Sequence, residues 1–387
     1  MKKISILFIV MMFSLVGCSG DGDGFSGDGG PSSEGALPGN GQEPGQNEPG
    51  VITAGEWNDL DNWDFWKNLK QGQEYGSMET YWSFYTTSRI SVHVTGPGGV
   101  PAINVPVVLQ KGQDVVYAVR TDNKGKAELW QNLFSINQAN AIEGITLNIN
   151  NGGVVVNDVK YFSEGVNEVT LTQLSGVDNR VEVAFVVDAT GSMGDELEYL
   201  KTELYDVISR VKTDNPQASV ATSSLFYRDE GDNYVTRVSN FTDNVSTTLN
   251  FIKEQSADGG GDFPEAVHTA LDKGVNELQW SSNAKTRILF LMLDAPPHYD
   301  PQVISDIHKS ILKAAEKGIK VIPVTASGIN KETEFLMRFF SIVTNGSYVF
   351  ITNDSGVGNQ HLEPSVGEYE VEFLNNLMVR LINKYAE

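Results

Sequence analysis

Three short stretches place carboxylates and hydroxyls where apolar runs stop. The first, residues 181–196, reads VEVAFVVDATGSMGDE: the run halts at Asp188, and Thr190 and Ser192 follow at alternate positions. The second is Gly259-Gly260-Gly261-Asp262-Phe263-Pro264-Glu265. The third, Asp294-Ala295-Pro296-Pro297-His298, comes directly after the apolar run RILFLML. An ionised carboxylate closing a buried run is costly unless it is paired. A hard divalent cation, Mg2+ or Ca2+, resolves that cost, because it prefers carboxylate and hydroxyl oxygens with water completing its shell. Each stretch also has a plainer reading. Ser192 fits the cap of a helix beginning near Asp195, with Asp195 and Glu196 favoured by the helix dipole. Asp262 fits an N-cap followed by Pro in the first turn, and Asp294-Ala-Pro-Pro fits a turn. The joint occurrence of all three is what points to a cation.

The elements around these stretches must position them. From about residue 180, apolar strands alternate with helical patterns, which predicts a parallel sheet with helices on both faces. The strand 181–187 leads into a helix carrying Leu197, Leu200, Leu204, Val207, Ile208 and Val211 on one face. SVATSSLFY follows with a hairpin partner YVTRVSNF, then helices near 243–256 and 264–278, and RILFLML at 287–293. A helix at 301–317, the strand KVIPVTA, a helix near 331–343, the strand SYVFIT and a final helix complete the pattern. The expected fold class is α/β, an open, Rossmann-like, mostly parallel sheet. Such sheets bind ligands beyond the carboxyl ends of their strands.

Upstream, residues 88–176 read as short alternating strands split by turns, predicting a small all-β sandwich. Residues 51–87 concentrate aromatics, among them Trp57, Trp63, Trp66, Tyr81, Trp82 and Phe84. Rings of this size are expected to be core, packed on the domain that follows. Residues 19–50 are rich in Gly, Pro and acid and contain no Lys or Arg; they read as a disordered tether. Residues 1–18 combine Lys2 and Lys3 with an apolar run too short to span a bilayer as a helix, closing in Leu15-Val16-Gly17-Cys18. That tetrapeptide resembles a bacterial lipobox, which makes Cys18 the lipidated first residue of a mature, membrane-anchored chain.

Asp-x-Thr-x-Ser followed by Met193, together with GGGDFPEA and LMLDAPPH, resembles the metal-ion-dependent adhesion site (MIDAS) of a von Willebrand factor type A domain of bacterial type. The resemblance covers 180–387, with the preceding sandwich similar to the carboxypeptidase-regulatory-like, or transthyretin-like, fold. It implies that Ser192 and Thr190 ligate the ion directly and that Asp188 and Asp294 act directly or through water. A vacant coordination position would then accept a carboxylate from a partner. This chain departs from the adhesive pattern in the middle loop, where Asp262 stands in place of Thr. Three convergent carboxylates about 5 Å apart would repel by about 3 kcal/mol per pair at an effective dielectric near 20. Such a site should hold its ion tightly while leaving it less positive charge for an acidic ligand. Glu265, Tyr227, Asp229 and His298 are expected at the rim, with Tyr227-Arg228-Asp229 forming an ion pair beneath the site. His361 has no evident partner.

Composition bounds the functional classes. The 387 residues carry 28 Lys and Arg against 50 Asp and Glu, a net charge of -22. A polyanion lacks the basic face that nucleic acid requires. With five His and a single Cys, neither a zinc cage nor a Ser/His/Asp or Cys/His triad is evident. The leading expectation is a non-enzymatic, lipid-anchored cell-envelope protein, held at the outer membrane where one exists and facing periplasm or exterior. Its cation site would engage another protein or a matrix component. The alternatives are a metal-dependent hydrolase using the same carboxylates, or a module in which the cation only stiffens the fold.

Overall fold

The structure, a computed structural model, describes residues 48–135 and 144–387. Cys18 and the stretch up to residue 47 lie outside the described residues. Among the described residues, no helix is long and apolar enough to cross a membrane.

The chain opens with strand β1 (Thr53–Trp57) and helices α1 (Trp63–Leu69) and α2 (Gln73–Trp82). Seven strands follow: β2 (Arg89–Thr95), β3 (Pro106–Lys111), β4 (Asp114–Arg120), β5 (Lys126–Trp130), β6 (Ile145–Ile149), β7 (Val154–Val156) and β8 (Asn167–Thr170). They form a three-stranded sheet, β5-β2-β8, and a four-stranded sheet, β4-β3-β6-β7. Alternation places Val107, Leu109, Leu147 and Ile149 inside while their neighbours are more exposed, as one-sided strands require.

The α/β unit follows: β9 (Asp178–Asp188), α3 (Gly194–Asp214), β10 (Ser219–Tyr227), β11 (Thr236–Thr242), α4 (Val245–Lys253) and α5 (Val267–Asp272). It continues through β12 (Ala284–Leu293), α6 (Pro301–Lys317), β13 (Ile319–Thr325), α7 (Lys331–Val343), β14 (Tyr348–Ile351), β15 (Glu372–Phe373) and α8 (Leu374–Ala386). The strand order is β11-β10-β9-β12-β13-β14-β1-β15, with β10, β9, β12, β13 and β14 parallel. Successive residues of β9 enter different cores. Val181, Val183, Phe185 and Val187 pack with α3, α4 and α8, whereas Ala184 and Val186 pack with α5, α6 and α7. Burial on both faces explains why this strand reads as a continuous apolar run.

The aromatic segment does more than pack on the sandwich. Trp63 does lie against Arg89 and Phe162, with the guanidinium carbon 4.5 Å from its ring centre. But β1 pairs antiparallel with β14 and extends the large sheet, and Trp66 and Phe84 stack on Phe335 and Phe339 of α7 at 5.4 and 3.7 Å. That cover is why α7 is buried on every side from Thr333 to Val343.

Candidate metal centre

The large sheet reverses its winding between β9 and β12, since the chain first builds outward to β10 and β11 and then returns to β12. Asp188 ends β9 and Asp294 directly follows β12, so both carboxylates stand at the crevice where such sheets bind ligands. Tyr227, the last residue of β10, lies opposite Asp188 in the parallel register.

The Asp188-Thr190-Ser192 limb is pre-formed. Asp188 Oδ1 accepts the Thr190 backbone N–H at 2.9 Å and its hydroxyl at 2.7 Å, and the Thr190 and Ser192 hydroxyls lie 3.2 Å apart. Ser192 sits in the short turn Gly191–Met193, and α3 starts after Met193 with no side-chain cap; the capping role is therefore not the one it takes. Asp262 is not a cap either, because α5 begins at Val267 behind Ala266.

Asp188 Oδ2, Asp294 Oδ1 and Glu265 Oε2 are buried oxygens without a hydrogen-bond partner, as is the Tyr227 hydroxyl. Burial first, then Asp294, push Asp188 up to about 7 against the restraining Thr190 bonds. Burial raises Asp294 to about 6, with the Ser192 hydroxyl pulling the other way and Glu196 adding to the rise. Glu265 rises to about 9, through burial and then the charges of Asp188, Asp229, Asp294 and Asp232. Burial and the Asp188, Asp294 and Glu265 charges hold the Tyr227 phenol well above its ordinary range. Carboxylates raised in this way by burial and like charge attract cations.

The middle loop is the main difference from expectation. Asp262 is exposed, whereas Glu265 is 2% exposed and is the loop carboxylate that the site feels. The Glu265 backbone N–H donates to the Pro296 carbonyl at 2.9 Å, which ties this loop to the one carrying Asp294 and turns the side chain inward. The Gly259-Gly260 pair has a steric role that the sequence left unread. Gly191 N–H donates to the Gly259 carbonyl at 3.0 Å, and Asp258 N–H to the Ala189 carbonyl at 3.1 Å. Gly260 has φ +72°, and a Cβ there would meet Glu265 Oε1 at 2.7 Å and Thr190 Cβ at 3.1 Å. A Gly260→Ala substitution is therefore expected to lower stability by about 1–3 kcal/mol. Gly261→Ala, which meets nothing within 4 Å, is expected to leave it nearly unchanged; paired chemical denaturation curves check the contrast.

The remaining predicted residues form the surround. Arg228 does not pair with Asp229. It donates to the Ala189 carbonyl at 3.1 Å and the Ser256 carbonyl at 2.8 Å, and its charged partner is Asp258 at 3.4 Å; it holds the two loops together. Asp229 instead contacts His298 Nε2 at 2.7 Å. His361 Nδ1 lies 3.2 Å from Asn353 Oδ1, while its buried Nε2 makes no hydrogen bond and stands 3.6 Å from Glu196, a buried residue on the first turn of α3 that accepts the Ser327 N–H at 2.8 Å. No local pattern in the sequence joins Glu196 to His361.

The donor set determines what this site could hold. Among the described residues, no three His, Cys, Asp or Glu side chains are grouped to hold a metal ion by themselves. The convergent groups are two carboxylates and two hydroxyls, with unpartnered oxygens on Asp188 and Asp294. All of these are hard oxygen donors, which fit Mg2+ or Ca2+ better than a soft transition metal.

Residues 182–356 match a family model described as von Willebrand factor A domain. Among curated proteins, the chain is 33% identical over 125 residues to a putative ariadne-like RING finger protein of Acanthamoeba polyphaga mimivirus, covering 32% of this chain and 12% of that one. It is 31% identical over 120 residues to the alpha-protein kinase vwkA of Dictyostelium discoideum, covering 30% of this chain and 19% of that one. The chain thus spans less than a fifth of the length of either relative. Among solved structures, the conserved hypothetical protein BatB from Bacteroides thetaiotaomicron aligns at 15% identity and a TM-score of 0.38, covering 53% of this chain and 98% of that one.

Proposed function

Because residues 182–356 form a von Willebrand factor A domain, we propose that this chain is a cell-envelope interaction protein whose Asp188–Asp294 crevice binds a divalent cation. Domains of this family are generally interaction modules rather than catalysts, and they often bind divalent ions. The observation that carries the reading is the pair of adjacent strand ends presenting Asp188 Oδ2 and Asp294 Oδ1, buried and unpartnered, beside two hydroxyls. Thr190 and Ser192 would supply neutral oxygens and the aspartates negative ones. The ion would supply positive charge to the two mutually repelling aspartates, and its remaining coordination would be open to a partner protein or matrix component. Glu265 takes the place of Asp262 as the third carboxylate, within influence of the site but turned into the middle loop.

The partner's chemistry follows from that charge. A protein with a net charge of -22 repels a strongly acidic surface at long range, so the surface that docks here is expected to be neutral or basic around any carboxylate it offers the ion. Anchoring through Cys18 rests on the lipobox-like LVGC. Replacing Cys18 by Ser is expected to move the protein from the membrane fraction to the soluble fraction.

The decisive test is pull-down from envelope extract with purified protein, with and without excess chelator, alongside Asp188→Ala. Chelation and the substitution are both expected to abolish capture, with capture returning when Mg2+ or Ca2+ is restored to the parent protein. Full capture by the chelated parent would overturn the reading. Capture by a folded Asp188→Ala protein would instead assign the cation a purely structural role.

A further inference from the structure

Glu196 stands on the first turn of α3, just beyond the turn that carries Ser192, and its side chain points into the fold, 0% exposed. The helix dipole favours an acid on this turn. It does not explain the burial, since Asp195 serves the same turn from the surface. Glu196 Oε1 accepts the Ser327 N–H at 2.8 Å, while Oε2 is buried without a hydrogen bond. Such a group is expensive to keep. Among the described residues no Lys or Arg forms an ion pair with it, and the His361 ring, at 3.6 Å, makes no hydrogen bond to it.

The Ser327 contact leads to the candidate metal centre. Ser327 follows Ala326, whose N–H donates to the carbonyl of Leu293 at 2.8 Å, one residue before Asp294. On the other side of Ser327, a Cβ at Gly328 would lie 3.7 Å from the Asp294 carbonyl oxygen. The Glu196–Ser327 bond therefore ties the helix that follows the Ser192 turn to the strand end that carries Asp294. The segment after β14 closes over the same carboxylate. Ser327 Oγ accepts the Asn359 N–H at 3.2 Å, and Gly358 packs so closely that there is no room for a Cβ against Glu196 Oε1. Charge follows this route as well, because Glu196 adds to the rise of the Asp294 carboxyl.

Building on the cation reading of the crevice, we propose that Glu196 is a positioning residue of that centre: it holds the Ser192 and Asp294 limbs together and places a fixed negative charge behind the ion without ligating it. A buried carboxylate with no cationic partner is unfavourable while the site is empty and becomes favourable when a divalent ion arrives nearby. A glutamate with only a structural role would behave differently, because its loss would cost stability with or without the ion.

The substitution that separates the two roles is Glu196→Gln, whose side-chain carbonyl can still accept the Ser327 N–H. Mg2+ and Ca2+ affinities of the full-length parent and variant are measured by titration calorimetry at pH 8 and low ionic strength, and Tm is measured in excess chelator. The variant is expected to bind the ion about ten-fold more weakly, with a chelated Tm equal to or above the parent's. Gly358→Ala displaces the carboxylate but keeps its charge; it too is expected to weaken ion binding, and it decides the matter if Glu196→Gln does not fold. Parent-like ion affinity in either folded variant, or a chelated Tm of Glu196→Gln below the parent's, would overturn the proposal. Absence of ion binding by the parent would instead remove the cation reading itself, and this role for Glu196 with it.

Discussion

An Asp59→Ala substitution is expected to cost about 3–5 kcal/mol of stability, the usual penalty for breaking a buried ion pair by removing one partner. Asp59 and Arg338 have fully buried side chains and meet in a two-pronged contact, Nη2 to Oδ1 at 2.6 Å and Nε to Oδ2 at 3.0 Å. The Asp59 carboxylate also accepts the Trp57 indole N–H at 3.0 Å, and Arg338 Nη1 donates to the Ser365 carbonyl at 2.6 Å. Without Asp59, Arg338 keeps only Glu334 at 3.4 Å as a charged neighbour, in a pocket sealed by Trp66 and Tyr75. Geometry of this kind suits guanidinium and carboxylate in particular. The double change Asp59→Ala with Arg338→Met should recover much of the loss, since replacing both partners by apolar groups removes the stranded charge. Urea midpoints of the three proteins measure this. A loss below about 1 kcal/mol for the single variant would mean that the N-terminal segment is held on α7 by its aromatic contacts alone.

The second large effect concerns pH and the cation. Without a cation, the protein is expected to become more stable as pH falls from 8 to 5 at the candidate metal centre. Asp188, Asp294 and Glu265 rise to about 7, 6 and 9 in the folded state, while in the unfolded chain they titrate near 4. Over the window between, the folded state binds more protons, so its stability increases as pH falls through about 9 to 4 and is lost as pH rises. The three together should contribute on the order of 3 kcal/mol or more over that span. A bound cation reverses the balance by favouring the ionised carboxylates, and protons compete with it. The stabilisation by saturating Mg2+ or Ca2+, about 2.7 kcal/mol at a hundred times Kd, should therefore be largest near pH 8 and shrink toward pH 5. Carboxylates elsewhere in ion pairs respond oppositely to acid, so the readout is the difference in Tm with and without cation at each pH. A pH-independent difference would count against these carboxylates as the cation's ligands. Glu265→Gln supplies a second check: it should stabilise the chelated protein at about pH 10, where the Glu265 carboxylate is ionised, and change its stability little at about pH 7, where that group is already protonated.

Much of the α/β unit follows from local pattern. Period-2 and period-3.6 hydrophobicity arise from backbone geometry that each segment carries with it. For that reason 301–317 and 331–343 are helices at the expected bounds, and RILFLML lies in a parallel strand flanked on both sides. The Asp188-Thr190-Ser192 limb was legible for the same reason, because a short turn after a strand fixes its own geometry. The middle loop was not. The choice between Asp262 and Glu265 depends on the Glu265–Pro296 backbone bond and on where α5 starts, and neither is encoded within the loop.

By itself, then, the sequence determined the sheet's core strands, the helices on its faces and the first limb of the candidate site, all through short-range periodicity and turn chemistry. Only the tertiary structure decided which distant groups meet. It placed β1 beside β14, nearly 300 residues away in sequence, paired Asp59 with Arg338 and brought His361 near Glu196. Such contacts are selected by burial and charge balance over the whole fold, and a lone polar residue in a sequence carries no record of the partner that will neutralise it.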